Sequence, residues 1–126
     1  MNPIEQFRGE VKQNIEGLGA DADLQALSRI WVREISPHKW AYNFAWLGRP
    51  AIQFPNDAWG MQELIWQIRP DLIIETGIAH GGSLIFSASM LALLDMCDAI
   101  EAGEQINPIV SKRKVLGIDI DIRLHN

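Results

Sequence analysis

The sequence has few of the features that mark secreted or nucleic-acid-binding proteins. Its single cysteine, Cys97, cannot form an internal disulfide, so the chain is expected in a reducing compartment, the cytoplasm. The 11 Lys and Arg residues are outnumbered by 16 Asp and Glu, and the formal net charge is -5. Because phosphate-neutralising surfaces need clustered basic residues, no nucleic-acid partner is expected.

Long apolar runs are also scarce. The first dozen residues carry charges where a signal peptide would have its apolar core, so no such peptide is expected. The longest nearly uncharged run, 84–94, is about half of the roughly 20 residues that cross a bilayer. No transmembrane segment is therefore predicted, and contact with a membrane would be peripheral.

The composition nevertheless favours a globular domain, since 48% of the residues are hydrophobic. Apolar residues at helical spacing predict an amphipathic helix over 21–35 and a second helix that Asn56 or Asp57 would cap. The aromatic-rich segment 36–55 between them lacks periodicity and is predicted to be a loop. Its aromatic side chains would complete the core or an oligomer interface, or would stack on a sugar or cover a cofactor. The sequence is therefore predicted to divide into two segments, a helical and aromatic-loop part over 1–55 and a nucleotide-binding part over 56–126.

The second segment has the pattern of one βαβ unit. Leu72, Ile73 and Ile74 are consecutive apolar residues, which predicts a strand covered on both faces within a parallel sheet. A glycine loop, a helix from 82 to about 102 and a strand over 114–118 follow, with a right-handed crossover. The predicted fold is α/β, the N-terminal portion of a Rossmann-like doubly wound domain. Because such domains need more than two strands, a fragment or a protein completed by a partner is expected.

The helix from 82 to about 102 is apolar around its whole circumference in its first half. Such a helix is deeply buried or lies at an interface, which favours a homo-oligomer. The basic run 112–114 is predicted to be a solvated turn before the second strand.

The glycine loop determines which nucleotide is expected. Ala79 stands where a dinucleotide fingerprint needs its second glycine. Glu75 would repel a pyrophosphate but attract a cation, a difference of roughly 4 kcal/mol at about 4 Å and an effective dielectric of about 20. S-adenosylmethionine, with a sulfonium, an ammonium and a carboxylate for the helix N-terminus, fits better than a dinucleotide. The residues predicted to bind this cofactor are Glu75, Thr76, Gly77, Ala79, Gly81, Gly82 and Ser83.

Two aspartates follow the second strand. Asp119 is predicted to accept hydrogen bonds from the ribose hydroxyls, with Asp121 as a second candidate. Alternatively, both are ordinary turn or cap residues. His80 is either the general base that activates a methyl acceptor or a solvent-facing loop histidine.

The motif Glu75-Thr-Gly-Ile-Ala-His-Gly-Gly-Ser83, together with segments 42–55, 61–66 and 117–123, resembles the cephalosporin hydroxylase and rhamnosyl O-methyltransferase family. The resemblance extends from about residue 31 to the end of the sequence. It implies a class I S-adenosylmethionine-dependent O-methyltransferase acting on a sugar or glycolipid hydroxyl in lipid or polysaccharide biosynthesis. It also implies further strands and carboxylates that bind a divalent metal, such as Mg²⁺, in a full-length protein.

Two other interpretations stay open at this point. The first is an NAD-dependent oxidoreductase, although Ala79 in place of the second glycine of the fingerprint argues against it. The second is a non-catalytic truncated fragment that acts as an assembly module through its apolar helix.

Overall fold

The computed structural model describes residues 2–126. The chain forms two compact units, 1–40 and 41–126. The division predicted from sequence was at residue 55. The segment between these two positions contains a hairpin that packs against a helix of the second unit.

The first unit is helical, with α1 (Pro3–Ala20), α2 (Ala22–Ile35) and a 3-10 turn over Ser36–His38. Helix α2 confirms the predicted amphipathic helix. Asp21 caps it, because its carboxylate accepts a hydrogen bond of 2.9 Å from the backbone N–H of Leu24. Helix α1 was not predicted, although Asn2 and Pro3 supply a typical N-cap and first-turn pair.

The second unit begins with a β-hairpin, β1 (Phe44–Trp46) and β2 (Arg49–Ala51), in the segment predicted to be a loop. The turn residues Leu47 and Gly48 both have positive φ values, 46° and 83°. Such a turn matches the twist of two antiparallel strands, but it normally contains Asn-Gly or Asp-Gly. Leucine at the first position explains why the sequence pattern did not indicate it.

Helix α3 (Pro55–Ile68) confirms the second predicted helix but not its cap. Its N-cap is Phe54, which makes no side-chain capping bond, so the prediction of Asn56 or Asp57 as cap is wrong. Proline at the first helical position needs no hydrogen-bond partner for its nitrogen and has a helical φ already.

The βαβ unit agrees closely with the prediction. It consists of β3 (Leu72–Thr76), α4 (Gly82–Ala102) and β4 (Lys114–Ile118), and the two strands pair in parallel. Buried Ile65, Phe86, Leu91 and Leu94 form the core, against which Ile73 and Val115 pack. The second unit is therefore an α/β arrangement with a two-stranded parallel sheet, and the wider Rossmann-like domain remains a prediction.

The sheet is covered on one face only. Ile73 and Val115 point towards α4, whereas Ile74 is 57% exposed and Leu116 is 49% exposed on the other face. The prediction that the first strand is covered on both faces is thus wrong for the described residues 2–126, because α4 lies on a single side.

Helix α4 is long and apolar enough, by length and composition alone, to cross a membrane. Its position argues against that role, because it joins two strands that are hydrogen-bonded neighbours. A bilayer around α4 would separate β3 from β4. Instead, α4 packs closely on the sheet at Gly117, where a Cβ atom would come within 2.8 Å of the Leu84 side chain.

Candidate functional site

A cavity of the second unit lies between the hairpin, α3, the end of β3 and α4. Its volume is about 750 Å³, within the range of about 300–1,000 Å³ typical of small-molecule sites. Most of its lining is apolar or aromatic, including Phe44, Trp59 and Met90. The lining includes Glu75, Thr76, Gly77 and Ser83, where β3 leads into the glycine loop, and also the polar side chains of Gln53, Gln62 and Ser87.

The glycine loop exposes its backbone to this cavity. Gly77 has a φ of 83°, and no atom lies within 4 Å of the position that a Cβ would take. A ligand could therefore approach the backbone here more closely than at a residue with a side chain. Ala79 also has a left-handed backbone, with a φ of 49°, which is uncommon for a residue other than glycine.

The other two predicted glycines are explained by packing within the chain. Gly81 is the N-cap of α4 and has a φ of 81°. A Cβ on Gly82 would lie 2.3 Å from the carbonyl oxygen of Pro50, so only glycine lets α4 pack against β2. Gly81, Gly82 and Ala79 are not part of the cavity lining.

Glu75 and Ser83 are joined directly. The Ser83 hydroxyl donates a hydrogen bond to the Glu75 carboxylate, which connects the end of β3 to the first turn of α4. Both residues line the cavity and both are half-buried. This bond fixes the orientation of the carboxylate and occupies one of its roughly four acceptor positions.

Asp119 is held against the glycine loop from the neighbouring strand. Its Oδ2 atom accepts a hydrogen bond from the backbone N–H of Ile78 at 2.6 Å, and its Oδ1 atom accepts from the N–H of Asp121 at 3.0 Å. The bonds from Asp121 and then Ile78 hold the pKa of the Asp119 carboxyl below its ordinary value. These bonds give Asp119 a structural role, and it does not line the cavity; its contact with a ribose stays a prediction.

Asp121 contributes its backbone N–H to this arrangement, and the residue is exposed. Its side chain has no assigned role in the structure, so its contact with a ribose remains a prediction.

His80 lies in a cluster that the sequence did not indicate. Its Nε2 atom is 2.9 Å from Nη1 of Arg123, and its Nδ1 atom is 3.3 Å from Nε2 of His125. Nη1 of Arg49 is 3.5 Å from the His80 carbonyl oxygen. These partners are 31 to 45 positions away, too far for any local pattern to reveal. His80 is not among the residues that line the cavity, and its role as a base remains a prediction.

A second charged network stabilises the far end of α4. Nη1 of Arg113 lies 2.5 Å from Asp95 and 2.7 Å from Asp98, and Arg69 also pairs with Asp98. Hydrogen bonds from Arg113 and then Arg69 lower the pKa of Asp98. The Arg113 side chain is only 11% exposed, so the prediction of a solvated turn over 112–114 is wrong at this residue.

The aromatic residues of segment 36–55 divide between two roles. The Trp46 ring packs edge-to-face on Phe86 at 4.9 Å, and its Nε1–H donates to Ser89 Oγ at 2.9 Å. This confirms the core interpretation for Trp46. Phe44 of this segment lines the cavity, together with Trp59 of α3, which is 71% exposed.

No group of three or more His, Cys, Asp or Glu residues that could hold a metal ion is found in residues 2–126. The divalent metal that the family resemblance implies stays a prediction.

A strand, a glycine loop and a helix, with a carboxylate on the neighbouring strand, form the arrangement that nucleotide-binding α/β proteins use. Comparison with known proteins then identifies the family. The Rhamnosyl O-methyltransferase/CmcI family model matches residues 38–126, and the chain belongs to this family. The resemblance inferred from the sequence motifs is thus confirmed.

Curated relatives match over a shorter stretch. The rhamnosyl O-methyltransferase of Mycobacterium leprae (strain TN) is 37% identical over 60 residues, which cover 43% of this chain and 26% of the relative. The proteins of the same name from Mycobacterium bovis (strain BCG / Pasteur 1173P2) and Mycobacterium tuberculosis (strain H37Rv) are each 33% identical over 60 residues, covering 43% of this chain and 24% of the relative. The chain thus matches about a quarter of the length of these relatives. No solved structure matches it.

Proposed function

We propose that this chain is the cofactor-binding part of an S-adenosylmethionine-dependent O-methyltransferase that acts on a sugar or glycolipid hydroxyl. The observation that carries the proposal is the pair Glu75 and Ser83, which places a carboxylate in the lining of a mostly apolar cavity. The family match and the relatives named rhamnosyl O-methyltransferase support the type of reaction and the sugar acceptor.

The charge at the cavity favours a cationic ligand. Glu75 presents a carboxylate to the cavity, and no Lys or Arg is among the lining residues. S-adenosylmethionine carries a sulfonium and an ammonium, whereas the pyrophosphate of NAD would be repelled. The open backbone at Gly77 gives the ligand a place to approach the loop. The residues present therefore fit this cofactor.

Asp119 would hold the ribose. Its carboxylate follows β4 and is held against the glycine loop by backbone N–H groups, those of Ile78 and Asp121 among them. A ribose hydroxyl would share these acceptor oxygens with the backbone. The cofactor would then extend from the cavity across the glycine loop towards the end of β4.

The chemistry is a displacement at carbon. The bound cofactor supplies a methyl group on a positively charged sulfur. The acceptor oxygen would receive this methyl group while the electron pair of the carbon–sulfur bond stays on sulfur, and a base would take the hydroxyl proton. In this proposal the chain mainly orients the reactants through Glu75, Gly77 and Asp119. The acceptor, the base, the metal, the cytoplasmic location and homo-oligomer formation remain predictions.

Calorimetric titration tests the proposal. S-adenosylmethionine, S-adenosylhomocysteine and NAD are titrated separately into the chain and into Glu75→Gln. Glu63→Gln, an exposed carboxylate of α3, is the matched control. We expect both adenosyl ligands to bind. Glu75→Gln should lower the affinity for S-adenosylmethionine by about tenfold or more, since hydrogen bonds to charged groups contribute about 1.5–3 kcal/mol. Absence of binding by both adenosyl ligands, or binding of NAD alone, would contradict it.

A further inference from the structure

We propose that a cationic cluster beside the glycine loop binds a compact oxyanion, the phosphate or carboxylate group of a ligand. The cationic cluster consists of Arg49 and Arg123, which carry its charge, together with the neighbouring rings of His80 and His125. These residues come from β2, the glycine loop and the segment after β4, and all lie in the second unit.

The side chains of the cationic cluster converge on a small region. Nη1 of Arg123 lies 2.9 Å from Nε2 of His80, and the His80 and His125 rings stack with centroids 5.4 Å apart. Nη1 of Arg49 reaches the His80 carbonyl oxygen and, at 3.0 Å, Oδ1 of Asn126. Asn126 in turn donates to the carbonyl oxygen of Ala79 at 2.9 Å. Both guanidinium groups thus lie beside His80, one at its carbonyl oxygen and the other at its ring.

The two arginines of this cluster are hydrogen-bonded to neutral groups. Neither Arg49 nor Arg123 forms an ion pair with a carboxylate in residues 2–126, and their polar partners are a carbonyl, an amide and an imidazole. Arg69 and Arg113 behave differently, since each pairs with one or two aspartates. The two arginines of the cluster therefore retain donors and charge for an external acceptor.

The adjoining end of α4 adds to the same charge. Its N-cap, Gly81, makes no side-chain capping bond, and its first turn contains no acidic residue. A Cβ on Gly81 would lie 3.2 Å from Nη1 of Arg49, so this guanidinium lies against the positive end of the helix dipole. Cations are normally found at the opposite end of a helix. An oxyanion bound here would interact favourably with the guanidinium groups and with the helix.

The geometry favours a small oxyanion over a nucleic acid. Guanidinium groups bind phosphate and carboxylate through paired hydrogen bonds, which suits a single anionic group. An extended polyanion would be repelled by the rest of the chain, whose net charge is -5. The oxyanion has two sources: the carboxylate of an adenosyl cofactor bound as proposed above, or an anionic group on a separate ligand.

Titration with inorganic phosphate at constant ionic strength, followed by ³¹P NMR, tests the site. We expect saturable binding to the wild-type chain and a loss of about tenfold or more in Arg49→Gln and in Arg123→Gln, as for hydrogen bonds to charged groups. Arg29→Gln, an exposed arginine of α2, is the control and should change binding less than about twofold. Arg123 is exposed, so its variant remains informative if Arg49→Gln does not fold.

The two sources are distinguished by adding S-adenosylhomocysteine during the phosphate titration. Competition would assign the site to the carboxylate of the cofactor, and independent binding would assign it to a separate anionic ligand. A wild-type chain that shows no saturable phosphate binding, or arginine variants that bind phosphate as Arg29→Gln does, would overturn the proposal. Failure of the adenosyl ligand to bind would contradict the proposed function but leave the phosphate result intact.

Discussion

The carboxylate of Asp119 accepts a hydrogen bond from the backbone N–H of Ile78, 2.6 Å away and 41 positions earlier in the chain. This contact joins the end of β4 to the glycine loop that follows β3. The residue expected to bind a ribose therefore also holds the loop in place. Loss of ligand binding in an Asp119 variant would not by itself identify a ligand contact, so the structural contribution has to be measured separately.

Asp119→Asn should make the chain less sensitive to acid. The pKa of Asp119 is lowered in the folded state from its ordinary value of 3.8, so its contribution to stability is complete above that value and is lost as the pH falls through the lower folded-state pKa. The variant is uncharged and lacks this contribution at every pH. We expect a lower free energy of unfolding at neutral pH and a shallower decline below about pH 4.

Urea unfolding between about pH 7 and pH 3 measures this effect. Asp121→Asn is the control, because Asp121 contributes its backbone N–H and not its carboxylate. A parallel acid response of the wild type and Asp119→Asn would show that the hydrogen bonds to Asp119 do not contribute to stability.

Ser83→Ala should destabilise the second unit by about 1 kcal/mol, the usual contribution of one hydrogen bond. The change removes the donor to the half-buried Glu75 carboxylate. A double-mutant cycle with Glu75→Gln isolates the pair, and we expect a coupling free energy of about 0.5 kcal/mol or more. Ser28→Ala removes only an exposed hydrogen bond within α2 and serves as control. Additive effects of Ser83→Ala and Glu75→Gln would contradict the pairing.

Arg113→Met should lower the melting temperature more than Lys112→Met. Arg113 is the common partner of Asp95 and Asp98, and its removal leaves both carboxylates without that cation. Lys112 is exposed and provides a matched substitution one residue away. Circular dichroism melting curves compare the two variants at neutral pH. Equal decreases in melting temperature would mean that the ion pairs around Arg113 contribute no more to stability than an exposed lysine does.

Elements whose sequence signals lie in neighbouring residues were predicted, whereas contacts between distant parts of the chain were not. The bounds of α4 and β4 follow from neighbouring residues: glycines before the helix, a glycine after it and a short apolar strand. The hairpin was missed because Leu47 occupies a turn position that usually signals itself through Asn or Asp. The cationic cluster was missed because its contacts connect β2 and the residues after β4 to the glycine loop. Such contacts depend on the folded chain and have no fixed spacing in the sequence.

The two faces of the sheet should respond differently to the same substitution. Ile73 packs against the core below α4, so Ile73→Ala should lower the free energy of unfolding by about 2 kcal/mol or more. Ile74 is 57% exposed on the opposite face, and Ile74→Ala should cost less than about 1 kcal/mol. Urea unfolding at several protein concentrations measures both. If Ile74→Ala were as costly as Ile73→Ala and its effect grew with protein concentration, the open face would be covered in solution by a second copy of the chain.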